Sequence, residues 1–324
     1  MHLPLTSYYF MRHQLIGATR ENSIVLLGAQ GPSVFFYGFS FLREDAYVDD
    51  PCFSYYSLLI NSNVFDVFKL MFSYIDKETN SDKKNVLLLY VRGYLNAYTL
   101  LRNTQPYIIY FGGYEQSSSP WNQFALNRYS LETRLDILYE LAIKESTSFK
   151  SMFRVARDDI SIISEMFYNL AIDAFSLPNI TKKTFTHAYQ NMKRRLMDLN
   201  SESASLPKMV LSLMKKPQVN VFFRSKRVTQ TDKYDFLNLR KKVWQHPSAG
   251  TPIDITFLDL INEAKEEIVY INAILKDFNN GKTIDTQLKE YIMDLNYSGL
   301  VVGTEPKHFD LIFRDEEDGK RPLN

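Results

Sequence analysis

The feature that most constrains the fold is a stripe of apolar residues late in the chain. Phe257, Ile261, Ala264, Ile268, Ile271, Leu275 and Phe278 recur at alternating steps of four and three, the spacing that lines up one face of an α-helix. Thr251, Pro252 and Asp254 supply an N-cap, a first-turn proline and an acceptor, and Asn279, Asn280 and Gly281 supply a left-handed stop. The pattern therefore predicts a helix from Pro252 to Phe278, a rod of roughly 40 Å. Ile284, Leu288, Tyr291 and Leu295 continue the spacing beyond Gly281, which predicts that the rod and its successor fold back as a helical hairpin.

Upstream, the same periodicity predicts further helices. Asn63 caps a stripe of Val64, Phe68, Met71 and Ile75, and Leu87, Val91, Tyr94, Tyr98 and Leu101 form another, closed by Asn103 to Pro106 after a polar loop at Thr79 to Lys84. Ser130 reads as the cap of a helix carrying Leu131, Leu135, Leu138 and Ala142. Ile160, Ile163, Phe167, Leu170, Ala174 and Leu177 make a helix that stops at Pro178, and Phe185, Tyr189, Met192, Leu196 and Leu199 make one capped near Thr181 or Thr184. Shorter helices are expected at Leu206 to Met214 and Asp232 to Gln245.

Strands are expected where β-branched and aromatic residues cluster beside turn residues. Ile24 to Leu27 and Val34 to Phe41 around Gln30-Gly31-Pro32-Ser33 read as a hairpin, and Tyr107 to Phe111, Val219 to Phe223 and Phe309 to Phe313 as single strands. The fold class is thus mainly α, a helical bundle with a long C-terminal helical hairpin and a smaller α+β N-terminal part. The serine-rich stretch Glu115 to Asn122 is the best boundary, dividing an aromatic-rich part, 1–118, from a helical part, 119–324.

Charge is where the composition becomes informative. The net charge is only +1, but Lys182 to His246 holds fifteen lysines and arginines against four acids, and Asp254 to Asp318 holds six against fifteen. The chain is therefore dipolar along its sequence. The stretch up to Tyr129 holds 26 of the 46 aromatic residues, a density suited to large packed or interface surfaces. The lone Cys52 excludes an internal disulfide and a structural zinc site and fits a reducing, intracellular compartment. The N-terminus lacks the basic start and apolar run of a signal peptide, and glycines, Pro32, Gln30 and serines interrupt the uncharged segment 22–42 that would otherwise be long enough to span a bilayer.

Candidate chemistry is sparse. Gly28-Ala-Gln-Gly31 and Gly112-Gly113 lack the lysine and third glycine of a phosphate loop, so they read as turns and no cofactor is expected. Asp45, Asp49 and Asp50, and Asp158 with Asp159, read as solvated or capping carboxylates, and no metal is expected. The basic segment has two readings. Lys193, Arg194, Arg195, Lys215, Lys216, Arg224, Lys226, Arg227, Arg240, Lys241 and Lys242 alternate with Tyr189, Phe222, Phe223, Tyr234 and Trp244, a layout in which cations neutralise phosphates and aromatics stack on bases. The same cations can instead be neutralised by the acidic C-terminal segment, within the chain or across a subunit contact.

Arg240 and His246, in Arg-Lys-Lys-Val-Trp-Gln-His, match a spacing that resembles the arginine–histidine signature of HEPN-type ribonucleases. That resemblance implies an arginine and histidine paired across a dimer that cleave RNA through its 2′-hydroxyl. The alternative for the same residues is a solvated helix end with a histidine near the negative pole of the dipole. Taken together, the stripes, the charge layout and the aromatic density lead to the expectation of a non-catalytic structural or assembly protein. Such a protein would be homo-oligomeric and cytoplasmic, or a virion component such as a connector or tail protein. Nucleic-acid binding or HEPN-like cleavage through 182–246 is the alternative.

Overall fold

A computed structural model describes residues 3–39, 47–115, 122–145, 151–199 and 234–310. These are mostly helical. In chain order the helices are α1 (Pro4–Arg12), α2 (Arg20–Gly28), α3 (Ser33–Phe36), α4 (Pro51–Asn61), α5 (Val64–Lys77), α6 (Ser81–Gly112), α7 (Gln123–Ile143), α8 (Arg157–Phe175) and α9 (Thr184–Leu199). A two-residue antiparallel pair follows, β1 (Trp244–Gln245) with β2 (Pro252–Ile253), then α10 (Phe257–Asn279) and α11 (Asp285–Ile292).

The organising element is α6. Its 32 residues make a rod of roughly 48 Å, and α1, α2, α5, α7, α8 and α10 all pack against it. Asn80 opens it by accepting from Lys83 N, and Gly113, at φ +78°, closes it. Pro106 lies inside and cannot donate to the Arg102 carbonyl one turn back. Gly299, itself at φ +68°, lies directly against that carbonyl, where any side chain would collide.

The helices whose stripes are cleanly periodic form where the spacing predicts. In α5, capped by Asn63, the residues Val64, Phe68, Met71 and Ile75 are buried. In α8 and α9, Ile160, Ile163, Phe167, Leu170, Phe185, Tyr189, Met192 and Leu196 are buried too, but α8 ends at Phe175, short of Pro178, with Ala174 exposed and Leu177 beyond the helix. Phe167 and Phe185 stack with ring centroids 5.1 Å apart and meet Phe35, Tyr55, Tyr90 and Tyr94, an aromatic centre drawn from α3, α4, α6, α8 and α9. Edge-to-face pairs of this kind favour rigid packing beyond their buried area.

Several expectations are corrected. Residues 24–27 lie in α2 and 34–36 in α3, not in a hairpin, and 107–111 are the last turns of α6, not a strand. The described residues of 3–115 contain no strand, so the N-terminal part is helical there instead of α+β. Helix α6 begins at Ser81, inside the expected loop, and Ser130 is interior to α7, whose cap is Asn122. The long helix starts at Phe257, not Pro252. Thr256 and Asp259 form a reciprocal capping box there, while Pro252 and Ile253 are drawn into β2. Its C-terminal stop is as expected, with Asn280 as cap and Gly281 at φ +72°. Residues 234–243 are turns instead of a helix. The expected helix 206–214 and strand 219–223 lie outside the described residues, as do 311–313 of the expected final strand.

Among the described residues no single helix is long and apolar enough to cross a membrane. Only α4 with α5 passes jointly, and that pair is bent by 109°.

Candidate functional site

The sequence points to the basic segment, and within the described residues its cations fall into two groups. Lys193 and Arg194 are exposed on α9, and among the described residues no ion pair engages either. Arg195, the next residue, turns inward instead. Its guanidinium donates to the Phe39 carbonyl at 3.1 Å and sits over the Tyr37 ring. Burial pulls its pKa down to about 10, with Tyr37 opposing and Arg194 assisting. Arg195 is therefore a packing residue in this fold. Lys215, Lys216, Arg224, Lys226 and Arg227 lie outside the described residues.

The second group sits on a compact loop, 235–243, shaped by two side chains. Asp235 accepts from Leu239 N at 2.9 Å and Arg240 N at 2.8 Å. Asn238, buried and at φ +53°, donates to the carbonyls of Lys242 and Ile255 at 2.9 and 3.1 Å and accepts from Lys242 N at 2.8 Å. Asparagine tolerates this left-handed conformation and satisfies the turn's backbone with its own amide. Lys241 is left-handed as well, at φ +51°. The loop holds Leu239, Arg240, Lys241, Lys242 and Val243 in solvent. Beneath it Trp244 is buried, donating Nε1–H to the Ile255 carbonyl and packing on Tyr107.

Two of the loop's cations face carboxylates of the acidic C-terminal segment. Lys241 Nζ is 3.7 Å from Asp259, the capping residue of α10, and Lys242 Nζ is 3.5 Å from Asp310. Asp259 is held below the usual carboxylate range, first by the Thr256 backbone and side chain and then by Lys241. The exposed Arg240 side chain makes no hydrogen bond or ion pair among the described residues, with His246 or with any other.

His246 is committed elsewhere. Its Nδ1 accepts from Ser248 N and Ala249 N at 3.3 and 3.4 Å, and the Gly299 backbone lies near the ring. Burial lowers its pKa, opposed by the Gly299 contact. The Arg240–His246 motif thus spans a turn and a strand, not the helix the spacing suggests, and the histidine ring caps the turn that follows it.

Sequence reasoning missed the polar ties inside the fold. Arg102 on α6 donates to Glu267 of α10 and to the Tyr291 carbonyl of α11, both at 2.6 Å, and lies 4.2 Å from the Tyr291 ring centroid. The Tyr291 hydroxyl donates to Glu267 at 3.0 Å and meets Thr99 at 2.7 Å, so three helices share one network. Buried Asp136 on α7 accepts from Leu5 N, Thr6 N and Thr6 Oγ1 at 3.0, 2.9 and 2.6 Å, capping α1 from another helix. Arg20 pairs with buried Asp159 at the start of α8. Apart from Tyr291 with Glu267, these partners lie more than a hundred residues apart in sequence, and no local pattern marks them.

Among the described residues no three histidine, cysteine or acidic side chains converge in a way that could hold a metal ion. No protein-family model, no curated protein and no solved structure matches the chain.

Proposed function

We propose that the chain is a structural or assembly protein without catalytic activity that associates with copies of itself. A component of a viral or phage particle, such as a connector or tail protein, is the setting this reading suits, with the cytoplasm as its site before assembly. In this reading the molecule is a helical bundle in which α10 and α11 act as a helical hairpin. The observation that supports it most is the apposition of Lys241 with Asp259 and of Lys242 with Asp310. It brings cations of the basic segment against carboxylates of the acidic one, and the same complementarity is available between copies.

A contact between unlike surfaces is heterologous and generates rings or filaments. Its attraction weakens as the Debye length falls from about 10 Å at 0.1 M salt to about 3 Å at 1 M. Size-exclusion chromatography with light scattering at both salt concentrations tests this, together with deletion of Asp315 to Asp318. Species larger than the monomer are expected at low salt, diminished by high salt and by the deletion; a chain that stays monomeric at low salt and high concentration refutes the reading.

A second reading, nucleic-acid binding or HEPN-like RNA cleavage, draws on the exposure of Lys193, Arg194 and Arg240. Adding RNA to the same chromatography separates the two. A salt-sensitive shift of the RNA that disappears in Lys193→Ala, Arg194→Ala and Arg240→Ala, or cleavage lost in Arg240→Ala and His246→Ala, favours this second reading.

A further inference from the structure

Helix α10 has two faces, and only one is used by the fold. Phe257, Leu260, Ile261, Ala264, Ile268, Ile271, Ile274 and Leu275 are buried. On the opposite side Glu263, Glu266, Val269, Tyr270, Ala273 and Lys276 are exposed, with Val269 at 71% and Tyr270 at 65%. At 100° per residue these six occupy one continuous arc. Val269 and Tyr270 form its apolar centre, with Glu263 and Glu266 toward the helix start and Lys276, beside Asp277, toward its end.

The order of residues along this face is self-complementary. When a second copy of the helix is laid antiparallel, centred between Val269 and Tyr270, Val269 of each copy meets Tyr270 of the other. Glu266 then meets Ala273, and Glu263 meets Lys276. Asn262, exposed on the same arc, meets Asp277, so each exposed residue of the arc from 262 to 276 has a counterpart on it, as a two-fold contact requires. Antiparallel helices with small and apolar residues at the centre pack at close range. The two outer pairs are of opposite charge and the two glutamates of one copy are kept from those of the other.

We propose that the outer face of α10, from Glu263 to Lys276, is a docking surface for the same face of a second copy, forming an isologous antiparallel helix pair. This rests on the self-association proposed above but is a contact distinct from the basic–acidic one. The acidic end of the face is primed for a cation. The Glu263 carboxyl is pushed above its ordinary pKa by partial burial and by the neighbouring carboxylates of Asp259, Glu267 and Glu266, and Lys276 of a second copy would relieve that repulsion. A single helix face covers less than the roughly 1,200–2,000 Å² of a standard interface, so the pairing is reversible and concentration-dependent.

The chain is well suited to a cysteine test, because its only thiol, Cys52, is buried and pushed up to about 12 by desolvation and by Asp50, leaving the parent protein inert to maleimides. Val269→Cys is treated with a short bismaleimide at a concentration where the parent is associated by light scattering. A covalent dimer is expected, since position 269 lies beside the two-fold axis. Lys276→Glu is expected to weaken association roughly tenfold, as two attractive exposed pairs become repulsive, and Glu263→Lys with Lys276→Glu to restore it. Circular dichroism confirms that each variant keeps the parent helix content. Failure of Val269→Cys to cross-link, whether or not a monofunctional maleimide reaches it, or an unchanged dissociation constant in Lys276→Glu, overturns this contact while leaving self-association standing. A parent protein that is monomeric throughout removes the assembly reading itself.

Discussion

Replacing Gly93 by alanine offers a test in which two physical effects predict opposite signs. Gly93 is interior to α6, where alanine is favoured over glycine by about 1 kcal/mol through helix propensity alone. In the structure, however, α2 crosses α6 at this point. A methyl group on Gly93 would stand 2.8 Å from Ala29 N and 3.0 Å from the Gly28 carbonyl carbon, with the Val25 carbonyl oxygen closer still. The reciprocal position is equally tight, since a methyl on Gly28 would lie 3.1 Å from Gly93 Cα with the Tyr90 carbonyl oxygen nearer. All these obstacles are backbone atoms of helices, which cannot turn aside as a side chain can. The two helices must separate, loosening Val25, Tyr90 and Val91, all buried. Overpacking of this kind costs about 1–3 kcal/mol and more where nothing yields, here about 3–4 kcal/mol because every obstacle is backbone, so after the propensity gain of about 1 kcal/mol a net loss of about 2–3 kcal/mol is expected. With roughly 2–4 °C per kcal/mol for a large domain, Gly93→Ala should melt about 4–12 °C below the parent by circular dichroism at 222 nm. Gly28→Ala combined with it should cost less than the sum, because the first substitution has already parted the helices. A Gly93→Ala protein that melts at or above the parent temperature would show that the helices do not cross at this distance.

Four further substitutions probe the ties and the buried stripe. Asp136→Ala should destabilise by about 3 kcal/mol, because it strips three hydrogen bonds from the start of α1 and leaves buried donors unmet; amide exchange at Leu5 and Thr6 should accelerate, and unchanged protection there would contradict the cap. His246, whose pKa is lowered in the fold from its ordinary 6.5, contributes full stability above that value and loses it as pH falls below 6.5, where the unfolded chain binds the proton first. The drop in melting temperature between pH 7.5 and 5.5 should therefore be smaller in His246→Gln, and equal drops would exclude the assignment. Ile268→Asp should destabilise by several kcal/mol through an unpaired buried carboxylate, whereas Val269→Asp, one residue on and 71% exposed, should change the monomer by no more than about 0.5 kcal/mol. Similar melting of the two variants would mean that α10 is rotated from the orientation described.

The helices legible in the sequence are those with one dry face and one wet face. Helices α5, α8, α9 and α10 alternate buried and exposed residues, so spacing of four and three carries the signal. Helix α2 is different, because Ser23 to Gly28 are all buried. A segment covered on every side has no reason to alternate, and its valine, isoleucine and leucine content then reads as strand. The last turns of α6 were obscured in the same way, with Tyr107, Ile108, Ile109 and Phe111 buried behind a proline that reads as a stop. The loop 235–243 shows the converse. Its lysines and arginine suit a helix, but Asp235 and Asn238 spend their side chains on the local backbone, and that competition ends helical structure.

The charge asymmetry was legible as composition, but its use was not. Adjacent cations separate by one residue's rotation on α9, so Arg195 packs under Tyr37 and Phe39 while Arg194 faces water. A run of basic residues carries no record of that division. The outer stripe of α10 poses the subtler case, because Val269 and Tyr270 stand in the sequence beside Ile268 and Ile271 and look like one apolar block. Only the orientation set by α6 and α11, with Glu267 held by Arg102 and Tyr291, turns Ile268 and Ile271 inward and leaves Val269 and Tyr270 outside. The tie that fixes the buried face thereby also fixes which residues any second copy can meet, so loosening Arg102 would blur the outer face as well as weaken the core.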